Sequence, residues 1–154
     1  MHEKSNKFIC NYGYDKEIVQ TTRNKLREIK ESGYFIGKNN KNIYYEKYSI
    51  DNEKGRIVIS HGFSECIDKF TEMIYYFMEM GYSVYAIEHR GHGRSGSFGK
   101  KHKSQISIDK FEYYVEDLRI FLDTIVVGKD VDLYLYAHSM GGAIGTMFLE
   151  KYCG

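Results

Sequence analysis

Three short apolar runs, each ending in a glycine-containing polar segment, most constrain the fold of this chain. The runs are "RIVIS" at 56–60, "YSVYAI" at 82–87 and "LYLYA" at 133–137. Each precedes a stretch with apolar residues at helical spacing, so strands and helices alternate three times. Alternation of this kind is typical of parallel strands joined by right-handed crossovers. The sequence therefore predicts an α/β fold with a mostly parallel central sheet and flanking helices.

The chain before the first of these strands predicts a helix and a hairpin. Residues 15–32 carry an apolar stripe at helical spacing, and Gly33 follows as the expected helix stop. The segments "GYFIG" and "NIYYEKYSI" flank the polar turn "KNNKN", a pattern that predicts an antiparallel hairpin.

Charge and cysteine content exclude several classes of protein. The 22 basic and 21 acidic residues leave a net charge of +1, so no nucleic-acid partner is indicated. Cys10, Cys66 and Cys153 have no metal-site spacing and cannot all pair, which favours a reducing compartment. No apolar run has the length of a signal peptide or a membrane span. We therefore expect a cytoplasmic protein with at most peripheral membrane contact.

Ser139 stands between the last predicted strand and the helix after it, in the segment "AHSMG". Ala137 and Gly141, two positions to either side, are small enough to allow a sharp turn that exposes the hydroxyl. The following helix directs free N–H groups and its positive dipole end at the same place. This arrangement suits a serine nucleophile, and an ordinary helix N-cap is the alternative interpretation.

Three motifs resemble those of the α/β-hydrolase superfamily, in its lysophospholipase, monoglyceride-lipase and serine-aminopeptidase group. They are "SHGFSE" at 60–65, "EHRGHGRSG" at 88–96 and "AHSMGGAI" at 137–144, and each follows a predicted strand. The resemblance divides the chain into an N-terminal helical extension, residues 1–32, and the N-terminal part of a hydrolase domain, residues 33–154. It implies a partial fold, truncated after the nucleophile helix, because family members continue with further strands and a substrate-covering cap.

The resemblance also implies roles for individual residues. Ser139 matches the nucleophile, and the backbone N–H groups of Phe63 and Met140 match the two donors of the oxyanion hole. His61 and Gly62 would shape the loop that carries Phe63, the first by hydrogen bonding and the second by allowing close approach. The family needs no metal and no organic cofactor, and none is expected.

Two positions depart from the family pattern. Ala137 stands where glycine is usual, and one additional methyl group is compatible with the turn. Glu88 stands where family members generally carry aspartate before "HRGHGRS", so the longer side chain must brace that loop differently.

The remaining members of a catalytic triad are missing from the sequence after Ser139. In this family an acid and then a histidine follow the nucleophile, but the last 15 residues contain one acid, Glu150, and no histidine. We expect a complementing C-terminal half to supply both residues, and the isolated chain to be nearly inactive. Loss of the triad histidine costs about 10⁶-fold in turnover in a subtilisin series. The last strand would also expose an edge.

Two further motifs have competing interpretations. The segment "GHGRSG" at 91–96 matches a glycine-rich dinucleotide fingerprint, but a polar stretch follows it where a helix should begin. The acids at the required distance, Asp109 and Glu112, also fall at a predicted helix start. The basic tract "KKHK" at 100–103 suits an anionic lipid headgroup or a solvated loop.

The sequence thus predicts a serine ester hydrolase of the lysophospholipase or monoacylglycerol-lipase type, acting on a small monoacyl lipid ester. One alternative is a non-catalytic remnant or interaction protein that retains the half-fold. Another is a general carboxylesterase or peptidase built on the same fold.

Overall fold

The structure of the chain, a computed structural model, describes residues 16–96, 106, 108, 110–128 and 130–154. Within these ranges four α-helices flank a five-stranded sheet. The helices are α1 (Lys16–Ile29), α2 (Thr71–Glu79), α3 (Glu112–Phe121) and α4 (Met140–Tyr152). The strands are β1 (Lys30–Gly37), β2 (Lys41–Tyr48), β3 (Arg56–Ser60), β4 (Ser83–Ile87) and β5 (Leu133–Ala137). Asp109 and the basic tract at 100–103 lie outside the described residues.

The sheet has the strand order β1-β2-β4-β3-β5. Strands β1 and β2 form the predicted antiparallel hairpin, and β2 pairs antiparallel with β4. Strand β3 pairs in parallel with both β4 and β5, as the alternation of strands and helices predicted. Because Ser60 is opposite both Ile87 and Ala137, β3, β4 and β5 end at the same level of the sheet. The loops after these three strands therefore meet at one edge.

Apolar cores lie on both faces of the sheet. Successive residues of β3 point to opposite faces, so Val58 packs with α3 and α4 while Ile59 packs with α1 and α2. Leu118 of α3 and Ile74 of α2 are the corresponding buried helix residues. Burial on both faces explains why β3 and β4 appear in the sequence as continuous apolar runs.

The first helix ends earlier than the sequence predicted. Gly33 lies inside β1, which pairs with β2 from Lys30 opposite Tyr48 onward. The prediction of Gly33 as the helix stop is therefore wrong, because strand pairing outweighs the local helical pattern at residues 30–32. Glycine at position 33 instead makes room for the ring of Tyr45, whose hydroxyl oxygen would lie 3.1 Å from an added methyl group. The division of the chain at residue 33 stays a prediction.

Strand β5 forms one edge of the described sheet. It pairs with β3, and every residue from Leu133 to Ala137 is exposed, including Tyr134 at 48% and Tyr136 at 37%. An edge of this kind presents backbone N–H and C=O groups to another strand. The expected exposed edge is thus present in the part of the sheet that the structure describes.

Candidate active site

Ser139 occupies the corner between β5 and α4. Its backbone angles, φ 53° and ψ −117°, are rare for a residue with a side chain, and the residue is exposed. The N–H of His138 donates to the Ser60 carbonyl oxygen at 3.1 Å, which ties the corner to the end of β3. The N–H of Gly142 donates to the Ser139 carbonyl oxygen at 2.9 Å and starts the helix. An exposed serine on a strained strand-to-helix corner has the geometry of a nucleophile elbow.

Gly141 allows the first turn of α4 to approach β3 closely. A methyl group at residue 141 would lie 2.1 Å from the Ser60 carbonyl oxygen and 2.8 Å from that of His61. Both obstacles are backbone atoms, which cannot turn aside as a flexible side chain can. Ala137 is exposed at the end of β5, a position that accommodates its additional methyl group.

Gly141→Ala is expected to lower the free energy of unfolding by about 1–3 kcal/mol, because α4 must move away from β3 to relieve the overlap. Gly142→Ala is the matched control, since no atom lies within 4 Å of the added methyl group. This control should be neutral or stabilising by up to about 1 kcal/mol through helix propensity. Urea unfolding measures both, and equal effects of the two substitutions would contradict the prediction.

The loop after β3 lies beside Ser139. A methyl group at Gly62 would lie 3.2 Å from the Ser139 Cβ atom, so the backbone at residue 62 lies close to the Ser139 corner. The next residue, Phe63, is 59% exposed, and its ring packs edge-on against His92 with a centroid separation of 5.8 Å. Within the described ranges, the N–H groups of Phe63 and Met140 donate to no backbone acceptor. In the part of the chain that the structure describes, the corner thus combines an exposed hydroxyl with two amides that have no backbone acceptor.

His61 links the loop after β3 to the loop after β4. The N–H of His89 donates to His61 Nε2 at 2.9 Å, so the ring proton is on Nδ1. Nδ1 donates to the carbonyl oxygen of Gly62 at 2.8 Å. Burial lowers the pKa of His61 to about 4, so the ring is neutral at pH 7. Both ring nitrogens are occupied in holding the loops.

Glu65 is a polar residue of the site that the sequence analysis did not single out. The N–H of Gly62 donates to its Oε2 atom at 2.7 Å, and His138 Nδ1 lies 3.1 Å from the same oxygen. Partial burial acts to raise the pKa of Glu65, but the hydrogen bonds from Gly62 and His138 lower it overall. Glu65 also donates its N–H to the Gly62 carbonyl oxygen at 3.2 Å. In "GFSE" the acid follows the glycine by three positions, a spacing typical of a turn, and this spacing is the sequence feature that could have indicated Glu65.

Glu88 braces the loop after β4. Its buried carboxylate accepts hydrogen bonds from the N–H groups of Ile67 at 2.9 Å and Arg94 at 2.6 Å. The side chain of Arg94 donates to it as well, at 3.0 Å from Nε. The longer acid fits because residue 93 is glycine at φ 47°, where a methyl group would lie 2.2 Å from Glu88 Oε1.

Residues Gly93–Ser95 form a single 3-10 turn, so the segment does not open the helix that a dinucleotide site requires.

Gly93→Ala is expected to destabilise the protein, and Glu88→Asp is expected to relieve part of that loss because it withdraws the carboxylate from the new methyl group. In a double-mutant cycle the coupling free energy should be about 0.5–3 kcal/mol. Gly96→Ala is the control, since it also has a positive φ, 82°, but no atom within 4 Å of its added methyl group. Denaturant unfolding measures the cycle, and strictly additive effects would refute the predicted contact.

The described histidines do not complete a triad with Ser139. Across the described part of the chain, no histidine or carboxylate is hydrogen-bonded to its hydroxyl, and no group of three potential metal ligands is present. Three of these histidines have other partners. His138 Nδ1 lies 3.1 Å from Glu65 Oε2, and His89 Nε2 lies 2.8 Å from Ser60 Oγ. His92 Nδ1 donates to the Arg90 carbonyl oxygen. Glu150 is exposed near the end of α4. His2 and His102 lie outside the described residues.

Known proteins match this chain over most of its length. A family model described as serine aminopeptidase, S33, matches residues 51–154. Lysophospholipase L2 of Escherichia coli K12 is 32% identical over 127 residues, which are 81% of this chain and 37% of that protein. Monoacylglycerol lipase of Mycolicibacterium smegmatis is 31% identical over 124 residues, which are 78% of this chain and 41% of that protein. The chain therefore spans about two fifths of the length of these curated relatives.

Solved structures show the same fold. A thermostable carboxyl esterase from Bacillus coagulans has a TM-score of 0.65 and 21% identity, over 81% of this chain and 41% of that one. An α/β hydrolase from Novosphingobium aromaticivorans has a TM-score of 0.63 and 16% identity, with the same two coverages of 81% and 41%. The predicted α/β-hydrolase fold is therefore confirmed, and this chain has part of it.

Proposed function

The chain belongs to the serine aminopeptidase S33 family of hydrolases, and from that premise we propose that it supplies the nucleophile of a serine ester hydrolase. The observation that carries the proposal is the exposed, strained Ser139 with the backbone of Gly62 against its Cβ atom. Relatives named lysophospholipase and monoacylglycerol lipase support a small monoacyl lipid ester as the substrate.

In the proposed reaction, Ser139 Oγ attacks the ester carbonyl carbon and transfers its proton to the triad histidine. The carbonyl oxygen becomes negatively charged, and the N–H groups of Phe63 and Met140 stabilise it. The tetrahedral intermediate collapses with transfer of the proton to the departing alcohol, which leaves the acyl group on Ser139. Water then hydrolyses this acyl-enzyme to the free fatty acid.

The residues around the nucleophile would act by positioning the reacting groups. His61 and Glu65 both hydrogen-bond the backbone of Gly62, one at its carbonyl oxygen and the other at its N–H. The Gly62 carbonyl is in the same planar peptide as the Phe63 N–H, so the hydrogen bond from His61 limits the rotation of that amide. The hydrogen bond from the Gly62 N–H to Glu65 holds the preceding peptide. Gly141 keeps the Met140 amide close to the end of β3.

We further propose that the triad acid and histidine come from a complementing C-terminal segment that pairs with β5. The edge of β5 offers backbone groups for another strand, and its exposed apolar side chains would be covered by that partner. Leu133 and Leu135, exposed by 50% and 38%, are the aliphatic residues concerned.

The test is labelling with a fluorophosphonate probe, applied to the chain alone and to the chain joined with the proposed complementing C-terminal segment. The joined protein should label at Ser139 about 10³-fold faster or more, because a base now activates the hydroxyl. Ser139→Ala should abolish labelling, whereas Ser64→Ala, at an exposed neighbouring serine with φ 58°, should retain it. Labelling that persists in Ser139→Ala would exclude Ser139 as the nucleophile.

Two alternative functions follow from specific observations. The described residues place no histidine at the Ser139 hydroxyl, which favours a non-catalytic remnant or interaction protein that keeps the half-fold. The shared machinery also suits a general carboxylesterase or peptidase. Absence of labelling in the joined protein would support the first alternative. Cleavage of short-chain esters or peptides in preference to monoacyl lipids would support the second.

The cellular location belongs to the same proposal. Cys66 and Cys153 are both free thiols in the structure, and this usage supports a reducing, cytoplasmic compartment. No helix in the described ranges has the length and apolar character needed to cross a bilayer. Peripheral contact through Lys100, Lys101 and Lys103 would be seen as salt-dependent vesicle binding that is lost when all three are replaced by glutamine.

A further inference from the structure

A polar cavity of about 390 Å³ lies between α1, β2 and the loops that follow β3 and β4. We name it the α1 cavity. None of the residues proposed for ester hydrolysis line it. Its lining includes four cationic side chains and two acidic ones: Arg23, Arg27, Lys30, Arg94, Glu46 and Asp68.

Both lining carboxylates already have partners. Buried Glu46 accepts hydrogen bonds from the hydroxyls of Tyr44 at 3.0 Å and Tyr48 at 2.6 Å, and Lys30 Nζ lies 3.5 Å from it. Asp68 lies 3.0 Å from Nη2 of Arg94. The same guanidinium also contacts the buried carboxylate of Glu88 at 2.9 Å, behind the cavity wall. Lys30 and Arg94 thus balance the charges of the acids in the wall, and the two tyrosine hydroxyls supply further hydrogen bonds to Glu46.

Arg23 and Arg27 supply positive charge that is not balanced in this way. They are one helical turn apart on α1, both are exposed, and both line the cavity. Among the described residues neither guanidinium group has an ion-pair or hydrogen-bond partner. Like charges at this spacing disfavour a helix unless an anion lies between them. Two guanidinium groups that converge on a cavity without carboxylate partners indicate a site for an anionic ligand.

We propose that the α1 cavity binds a soluble phosphomonoester through Arg23 and Arg27, with Lys30 at the rim. A phosphomonoester dianion offers three terminal oxygens and two negative charges to the two guanidinium groups, whereas a monocarboxylate offers two oxygens and one charge. The cavity is also larger than a phosphate group alone, which leaves space for an attached polar moiety. This ligand site is independent of Ser139, and it stands or fails separately from the proposed hydrolysis.

Isothermal titration calorimetry with inorganic phosphate and with glycerol 3-phosphate tests the proposal on the full chain. Both ligands should bind in low-salt buffer, and glycerol 3-phosphate should bind more tightly because it fills more of the cavity. The double substitution Arg23→Gln and Arg27→Gln should weaken binding about tenfold or more, since two charge-assisted contacts are lost. Both arginines are exposed, so the variant should fold, which circular dichroism checks.

Lys25→Gln is the matched control, because it removes one positive charge from the same helix outside the cavity lining. The affinity of the Lys25→Gln variant for glycerol 3-phosphate should stay within about twofold of wild type, because salt and solvent screen a charge outside the cavity. Equal weakening by Lys25→Gln and by either arginine substitution alone would overturn the proposal in favour of a general charge effect. No measurable binding of either soluble ligand would also overturn it. Binding confined to phosphatidylglycerol vesicles would replace it with a membrane contact.

Discussion

Asp117→Ala is expected to lower the free energy of unfolding by about 3–5 kcal/mol, because it leaves a buried guanidinium without its counter-charge. Arg90 and Asp117 are exposed by only 2% and 0%. Their two hydrogen bonds, of 2.6 Å from Nε and 2.8 Å from Nη2, form a bidentate pair. The pair joins α3 to the loop after β4, which also carries Glu88, His89 and His92.

The same pair holds the turn between β1 and β2. The N–H of Lys38 donates to Asp117 Oδ1 at 2.8 Å, and Arg90 Nη2 donates to the Lys38 carbonyl oxygen at 2.9 Å. Gly37 is required at this contact, since a methyl group there would lie 2.4 Å from Asp117 Oδ1. The Asp117 carboxylate of α3 therefore holds together α3, the turn between β1 and β2, and the loop after β4.

Two variants make the ion-pair prediction specific. Asp123→Ala removes an exposed carboxylate that lies 3.5 Å from Arg119, and it should leave stability close to wild type. Arg90→Met combined with Asp117→Leu should cost less than Asp117→Ala alone, because no buried charge is left unpaired. Thermal and urea unfolding measure all three. A loss of less than about 1 kcal/mol for Asp117→Ala would show that water reaches Arg90.

Acidification is expected to destabilise the protein steeply between pH 6.5 and 4.5. His61, His89 and His92 are exposed by 0%, 0% and 2%, and burial lowers the pKa of each. The ring centroid of His61 lies 4.6 Å from that of His89 and 5.1 Å from that of His92, so protonation of one ring opposes protonation of the next. The native state therefore keeps these rings neutral.

The direction of the pH effect follows from which state binds protons first. Below the ordinary pKa of 6.5 each histidine is more protonated in the unfolded chain than in the folded one, because its pKa is lowered by folding, so stability falls as the pH falls. For His61, whose pKa is lowered to about 4, the full loss is about 3 kcal/mol. Each such group adds at most about 1.4 kcal/mol per pH unit to the slope. Above about pH 7 they contribute no pH dependence.

Urea unfolding followed by circular dichroism from pH 8 to 4.5 measures this profile. The lowered pKa values of Glu65 and Glu116 act mainly below 4.5, the ordinary value for both. Burial raises the pKa of Asp117, which opposes the loss of stability on acidification, so a comparison of variants isolates the contribution of the histidines. His61→Gln should reduce the slope, whereas His138→Gln, at an exposed ring, should not change it. A flat profile between pH 7 and 5 would mean that the buried rings accept protons in the folded state.

Local patterns in the sequence were sufficient for most of the strands and helices and for the sharp turn at Ser139. The apolar run at Ile57 to Ile59 predicted a strand buried on both faces, and β3 has that burial. The small residues around Ser139 predicted a sharp turn, and the structure has a strained, exposed serine there. Such predictions succeed because strand and helix periodicity, and turn geometry, depend on residues within a few positions of one another.

Contacts between distant segments could not be predicted in this way. Glu65 meets His138 across 73 positions, and Arg90 meets Asp117 across 27. Neither residue pair has a spacing that marks it in the sequence. Gly33 was mistaken for a helix stop, because its role is to make room for Tyr45 on the paired strand. The accommodation of Glu88 by Gly93 likewise depends on how the loop folds back on itself.

The amino-acid order by itself determined the α/β architecture, the family resemblance and the serine at the end of β5, since all three rest on short-range patterns. Only the tertiary structure decided which groups surround that serine, which charges are buried in pairs and which arginines line a cavity without partners. The physical reason is that strand register and helix docking bring the loops together at one edge of the sheet. Side-chain hydrogen bonds and desolvation energies are set by these distances, which no local pattern contains.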